Sequence, residues 1–347
     1  MPTRSMRPNV SGALSRRACL CLLGAGAAVP AWPQPAASAP PCLWPSPTQW
    51  QRLRERVAHE PAVEAVVKTL YDQVAQDWER APQPVASLDM GLRWQGDDPP
   101  AYFAPGLRDL DRLQSLAVLH HLSGQAPYRD KALVILRAWA SVNRPSGRPL
   151  DETCLEPAIY AYRLLRPQCP AADQRAVDGW LRAVARAQLD SRDLSQATAW
   201  NRVNSHRLKT VGLIGYALGD ATLAGGARSG LQQQLMDDLQ SDGQTLGHRQ
   251  GLALEDQADD LRALLTLSLA LREEAVDLYH WVTPTGASMA GSVAWLMAQP
   301  GWGGSTRRRL VQPTLDLALA WEPALAPRIE ARMPGGASLR RLLSGGL

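Results

Sequence analysis

The sequence predicts an all-α protein built from stacked antiparallel helical hairpins, and three observations carry that expectation. Apolar residues recur at spacings of three and four through nearly the whole chain after residue 47. Glycine, proline and Asp-Gly stops interrupt that pattern at helix-length intervals, as at Gly124, Pro145, Pro167 and Gly219-Asp220. No β-rich block appears except a short apolar piece at Val282. Hairpins of this kind, repeated six or so times, stack into a bundle or a curved toroid. No sequence repeat of fixed period accompanies them, which argues against a solenoid of identical units.

The chain opens on a different composition. Residues 1–39 contain no acidic residue and carry Arg4, Arg7, Arg16 and Arg17. An apolar stretch from Ala18 to Val29 and then Ala37-Ser38-Ala39 complete the pattern of an export signal cleaved near Ala39. Ser15-Arg16-Arg17-Ala18-Cys19-Leu20 is a twin-arginine pattern, although arginine pairs also occur in ordinary Sec signals. The apolar stretch is short for a membrane span. We expect an exported bacterial protein, periplasmic or secreted, with one domain over residues 40–347 and no membrane anchor in the mature chain.

After a proline-rich lead-in at 40–47, periodicity predicts helices over 48–59 and 62–80. The stretch 81–106 is the longest irregular piece and holds Trp94, Asp97, Asp98, Tyr102 and Phe103; loops of that length are usually functional or mobile. Helices then follow over 108–123, 128–142, 154–165, 171–189, 207–218, 221–239, 253–271, 287–297 and 306–321, with a ragged one after Ala337.

Removing residues 1–39 takes four basic residues from 37 and no acid from 33, so the remainder balances at 33 of each. Nothing in that balance argues for nucleic acid. Arginine outnumbers lysine 34 to 3, which suits recognition of carboxylates but also follows from a GC-rich genome. Three cysteines remain, Cys42, Cys154 and Cys169, and an odd number describes no disulfide framework. If 154–166 is helical, Cys154 and Cys169 lie roughly 20 Å apart, beyond disulfide reach. No essential disulfide, metal site or cofactor is expected, and the protein is expected to be a monomer.

No phosphate-binding loop, dinucleotide fingerprint, His-Glu-x-x-His or Gly-x-Ser-x-Gly motif is present. His120-His121 reads as one buried and one exposed histidine, since neighbours on a helix point about 100° apart. The richest polar stretch is Trp200-Asn201-Arg202-Val203-Asn204-Ser205-His206-Arg207, directly before an apolar helical run. Amides, a hydroxyl and a titratable ring at a helix start form either a reaction site or a cap on a core helix. A second cluster, Asp242 to Gln250 with His248 and Arg249, leads into Glu255, Asp256, Asp259 and Asp260. Those acids either join the site or merely complement a helix N-terminus.

These stretches resemble the alginate lyase family, clearest over residues 105–298. Asp151-Glu152-Thr153-Cys154-Leu155-Glu156-Pro157 is similar to the family's Asn-Glu-Asn-x-Leu-Glu-Pro stretch. Asn204-Ser205-His206-Arg207-Leu208-Lys209, with the Gly212–Gly215 run, is similar to its Asn/Ser-His-Arg helix start. Asp242-Gly243, then Ala253-Leu254 with Asp260-Leu261, resembles a later segment, and so does Gly286-Ala287-Ser288 with Ser292 to Leu296. The resemblance implies an incomplete (α/α) toroid and a cofactor-free β-elimination on an acidic uronate polysaccharide. That reaction needs the C5 carboxylate neutralised, the C5 proton removed and O4 protonated.

Carried over, the family's catalytic histidine falls on His206, with Asn204 beside it. Ser205 stands where an asparagine usually precedes that histidine. The catalytic tyrosine falls on Asp256 and an arginine on Gly251, two residues from Arg249. A carboxylate there repels a substrate carboxylate unless its pKa rises strongly; Tyr160, Tyr216 and Tyr279 are possible stand-ins. The catalytic set expected is therefore His206, Asn204, Ser205 and Asp256. Asn201, Arg207, Arg249 and His248 are expected to bind substrate, with Trp200 and Trp94 stacking on sugar rings. An alternative is a catalytically impaired carbohydrate-binding or exopolysaccharide-assembly protein on the same fold. A weaker one is a hydrolase using a pair from Asp97, Glu156, Glu255 and Asp256.

Overall fold

The computed structural model describes residues 42–88, 104–191, 201–300, 305–334 and 338–343. Its helices in order are α1 (Pro47–His59), α2 (Pro61–Gln76), α3 (Ala104–Ser123), α4 (Ala126–Val142), α5 (Pro149–Glu152), α6 (Glu156–Leu165), α7 (Ala171–Leu189), α8 (Arg202–Leu218), α9 (Ala221–Asp238), α10 (Leu246–Arg249), α11 (Leu254–Leu271), α12 (Met289–Ala298), α13 (Ser305–Ala318), α14 (Ala326–Arg332) and α15 (Leu339–Leu343). Among the described residues the only β feature is an isolated bridge between Leu239 and Thr245. Val282, the apolar piece that hinted at a strand, is an exposed loop residue.

The helices form two layers. The inner helices α3, α6, α8, α11 and α13 each pack on the next, while α4 packs on both α3 and α7, and α7 and α9 both lie on α8. Burial follows this order. Every residue of α8 from Leu208 to Leu218 is buried, as expected of a helix covered on all sides. The outer helix α7 instead buries one stripe, Val177, Trp180, Leu181 and Val184. The short α15 touches α13 and α2, so the last described helix returns to the first hairpin.

Turns follow the sequence signals. Gly124 takes a positive φ of 71° and closes α3 through its N–H to the His120 carbonyl. At the α8–α9 corner, Gly219 has φ 69° and the Asp220 N–H returns to the Gly215 carbonyl. The Asp220 side chain then accepts from the N–H groups of Thr222 and Leu223, capping α9. Gly215 permits the close crossing: a Cβ there would lie 2.5 Å from the Ala224 nitrogen.

Several sequence readings need correction. α8 begins at Arg202, five residues earlier than the periodicity suggests, because the Asn201 side chain accepts from the Val203 N–H and caps it. α2 ends at Gln76, and the stretch expected as one helix from Cys154 begins as a short helix and a 3-10 turn over 149–155. α10 and α14 carry no clear period and are missed. Neither central histidine is exposed: His120 is buried, and His121 is half-buried, stacked on Trp50 with ring centroids 5.1 Å apart. Cys42, Cys154 and Cys169 are all free thiols. No described helix is long and apolar enough to cross a membrane. The proposed export signal, Trp94, Asp97 and Trp200 lie outside the described residues.

Candidate active site

Three inner elements each present polar residues at helical spacing toward one space. Thr153 and Glu156 stand on the 3-10 turn and the first turn of α6; Arg202, His206 and Lys209 share a face of α8; Asp259 and Arg262 share a face of α11. From Asp256 to Leu271 every α11 residue is buried except Asp259 and Arg262. Beyond its first two residues, that pair is therefore the only partly exposed part of α11.

His206 is fully buried. Its Nδ1 lies 2.6 Å from Thr153 Oγ1 and its Nε2 lies 2.9 Å from Asp259 Oδ2. Lys209 Nζ donates to Thr153 Oγ1 at 2.7 Å and to Glu156 Oε2 at 2.5 Å. The proton order follows from the donors. An ammonium only donates, so the Thr153 oxygen accepts from Lys209 and its own O–H points to Nδ1. Nε2 then carries the ring proton and donates to Asp259. Burial lowers the His206 pKa from its ordinary value, partly opposed by Asp259, so the ring is neutral near pH 7.

Charges around the ring are paired. Arg262 meets Asp259 at 2.5 Å, and Arg202 meets Asp256 at 2.8 Å and Asp259 at 3.6 Å. Arg340, on α15, meets the second oxygen of Glu156 at 3.0 Å. Burial pushes the carboxyls of Glu156 and Asp259 upward, but their cationic neighbours outweigh it and hold both below the usual range.

A cavity of about 450 Å³ opens beside this network, lined on its polar side by Arg108, Asp111, Thr153, Glu156, Arg262 and Arg340. Its wall carries three guanidinium groups, a chemistry suited to carboxylates. Arg108 is exposed and makes no ion pair among the described residues. Among the described residues no cluster of three or more His, Cys, Asp or Glu can hold a metal ion.

The structure separates the sequence-predicted site residues. None of His206, Asn204, Ser205 and Asp256 lines the cavity. Asn204 donates to Gln234 at 2.7 Å and Ser205 accepts from Gln234 at 3.1 Å, so both tie α8 to α9, while Arg207 donates to Asn204 at 2.9 Å within α8. Asp256 accepts from the Ala253 N–H, capping α11, and pairs with Arg202. Both of these contacts are on α8 and α11, and Asp256 does not line the cavity. Asn201 is the α8 cap. His248 packs edge-on against Trp295 and Arg249 pairs with Asp242, and none of these contacts reaches His206. The stand-in tyrosines are engaged elsewhere: Tyr216 donates to Glu274, Tyr279 donates to Glu322, and Tyr160 is buried against Trp44. Periodicity missed Lys209 and Arg262 as site residues and left Asp259 undistinguished among four neighbouring acids. Their signal was a charge inside an apolar run, repeated three residues from a polar partner.

The protein family described as alginate lyase matches residues 65–305. An alginate lyase structure from Bacteroides ovatus superposes with a TM-score of 0.71 at 15% identity, covering 88% of this chain and 98% of that one. Alginate lyase A1-III from Sphingomonas species A1 superposes at 0.61 with 17% identity, covering 80% and 86%. At such identities the structural likeness is one of fold. No curated protein matches the sequence significantly. The helical toroid and the family match together define the class, a polysaccharide lyase. The chain belongs to the alginate lyase family, whose match spans well over half of its length.

Proposed function

We propose that this protein is exported and cleaves an alginate-like, uronate-containing polysaccharide by β-elimination, with His206 at the centre of the proton transfers. The observation that carries this reading is the cavity itself. Arg108, Arg262 and Arg340 surround a space whose floor includes Thr153, and Thr153 touches His206. A uronate carboxylate placed among those guanidinium groups is neutralised, which acidifies its C5 proton. Asn204, Ser205 and Asp256 serve this arrangement by fixing α8 and α11, and Asn201 by capping α8. Arg207, His248 and Arg249 then remain as contacts for sugars beyond the cavity. The arginine-rich leader at 1–39 supports export to the periplasm or medium. The non-catalytic carbohydrate-binding alternative finds less support, since family and fold both point to a lyase.

The test is formation of the C4–C5 unsaturated uronate, followed by its ultraviolet absorbance. Alginate, polymannuronate, polyguluronate and other polyuronates are each incubated with the protein and with His206→Ala. Absorbance that rises with the wild type and not with the variant supports the reading. Silence on every polymer overturns it.

A further inference from the structure

We infer that Thr153 is the catalytic residue that meets the sugar, relaying protons to the enclosed His206; this rests on the elimination reading above. His206 is wholly buried, so a proton reaches its ring only through a partner. It has two. Asp259 is already an acceptor held between Arg262 and Arg202. Thr153 lines the cavity and contacts Nδ1, the ring nitrogen that carries no proton. Among the described residues no other does both.

The remaining geometry suits the same task. Lys209 holds the Thr153 oxygen from behind at 2.7 Å, orienting its O–H toward the ring. The groups facing His206 and Thr153 are Lys209, Glu156, Asp259, Arg262 and Arg202, and they pair among themselves. Of the described tyrosines, Tyr216, Tyr279 and Tyr162 donate to Glu274, Glu322 and Asp178, Tyr160 is buried against Trp44, and Tyr71 and Tyr128 pack edge-on against each other on α2 and α4.

The step balances without a co-reactant. The C5–H bond breaks and its electron pair forms the C4–C5 double bond as the C4–O4 bond breaks. The C5 proton passes to Thr153 Oγ1 while the threonine proton passes to His206 Nδ1. The ring becomes an imidazolium facing Asp259. The same path returns a proton to O4 of the leaving sugar and restores the neutral ring. One relay serving both transfers requires C5–H and C4–O4 on the same face of the sugar, as in mannuronate.

Thr153→Val keeps the shape and removes the hydroxyl; Thr153→Ser keeps the hydroxyl. The full-length variants are assayed on polymannuronate beside Tyr102→Phe, a tyrosine outside the described residues. Thr153→Val is expected to lower kcat by about a hundredfold or more with KM within about threefold. Thr153→Ser is expected to recover kcat to within about tenfold of wild type. A purely structural threonine would give no such split between kcat and KM. Should Thr153→Val not fold, a Thr153→Ala protein of native helical content replaces it, with the same expectation. Wild-type-like kcat in the folded hydroxyl-free variant overturns the relay and leaves the elimination standing, most clearly if Tyr102→Phe is inactive. A wild type silent on every polyuronate overturns both.

Discussion

Asp259 Oδ2 lies 2.9 Å from His206 Nε2, while Asp259 Oδ1 holds Arg262 at 2.5 Å. One carboxylate therefore fixes the ring of α8 and a guanidinium of the cavity wall at once. Rotating it to improve one contact would break the other. The distance between proton relay and carboxylate clamp is thus set by a single side chain.

Replacing that side chain tests the coupling. Asp259→Ala leaves Arg262 and the ring N–H without their acceptor. The expected cost is about 3–5 kcal/mol of stability, the usual result of breaking a buried pair. Urea denaturation measures it, and a loss below about 1 kcal/mol would show that Arg202 and Arg262 find other partners.

The pair of Lys209 and Glu156 is buried too, but Glu156 has a second cation in Arg340. Removing the acid should hurt more than removing the base. Glu156→Gln strands Lys209 and is expected to cost about 3 kcal/mol, whereas Lys209→Met leaves a carboxylate still paired and should cost less. A double-mutant cycle in urea reads the difference.

A carboxyl pair sits behind the site. Burial and the neighbouring Asp260 push Asp238 well above the usual range, and burial pushes Asp260 up to about 7. The folded state then binds protons that the unfolded chain releases above about pH 4. Stability is expected to fall as pH rises from about 4 to 7. Asp260→Asn should remove most of that slope and be the more stable protein at pH 8. Tm against pH checks this; parallel curves for the two proteins would rule it out.

Glu156 and Asp259 act with the opposite sign. Their folded-state pKa values are depressed, so the stabilisation they confer is present above the ordinary carboxylate pKa and lost as pH falls below it. With the Asp238–Asp260 pair, this predicts a stability maximum on the acid side of neutrality. Activity should extend equally far. The proposed elimination needs neutral His206, whose pKa burial lowers from the ordinary histidine value, so the acid limb of kcat is expected on the acid side of an ordinary histidine titration. An acid limb above 7 would contradict a neutral buried ring.

Arg108 is exposed and makes no ion pair among the described residues, which separates binding from folding. Arg108→Ala is expected to raise KM for a polyuronate several-fold, with stability within about 0.5 kcal/mol of wild type. An unchanged KM would place the substrate carboxylate on Arg262 and Arg340 alone.

The helices and many turns were legible because burial of an apolar face imposes its period on the sequence, and because Gly124 and Gly219 mark positive φ. The polar stretch around His206 was legible too, though spacing alone left it open between a reaction site and a helix cap. What the sequence concealed has a common cause. Asp256 and Asp259 differ only by three positions, yet one caps a helix and the other faces the ring, and that choice depends on how α8 and α11 cross. Starting α8 late made Asn204 and Ser205 look like loop residues open to a ligand. Thr153 was hidden by its chemistry, since a hydroxyl gains significance only from what lies within 3 Å of it.

Arg340 comes from a five-residue helix near the end of the chain, beyond the segment that the family match covers, yet it completes a wall begun by Arg108 on α3. The cavity is therefore complete only with α15 seated on α13 and α2. Without α15 the contact of Thr153 with His206 would remain, and the wall would lose one of its three guanidinium groups. The proposed grip on the polymer thus depends on a helix far in sequence from the other two arginines of the wall.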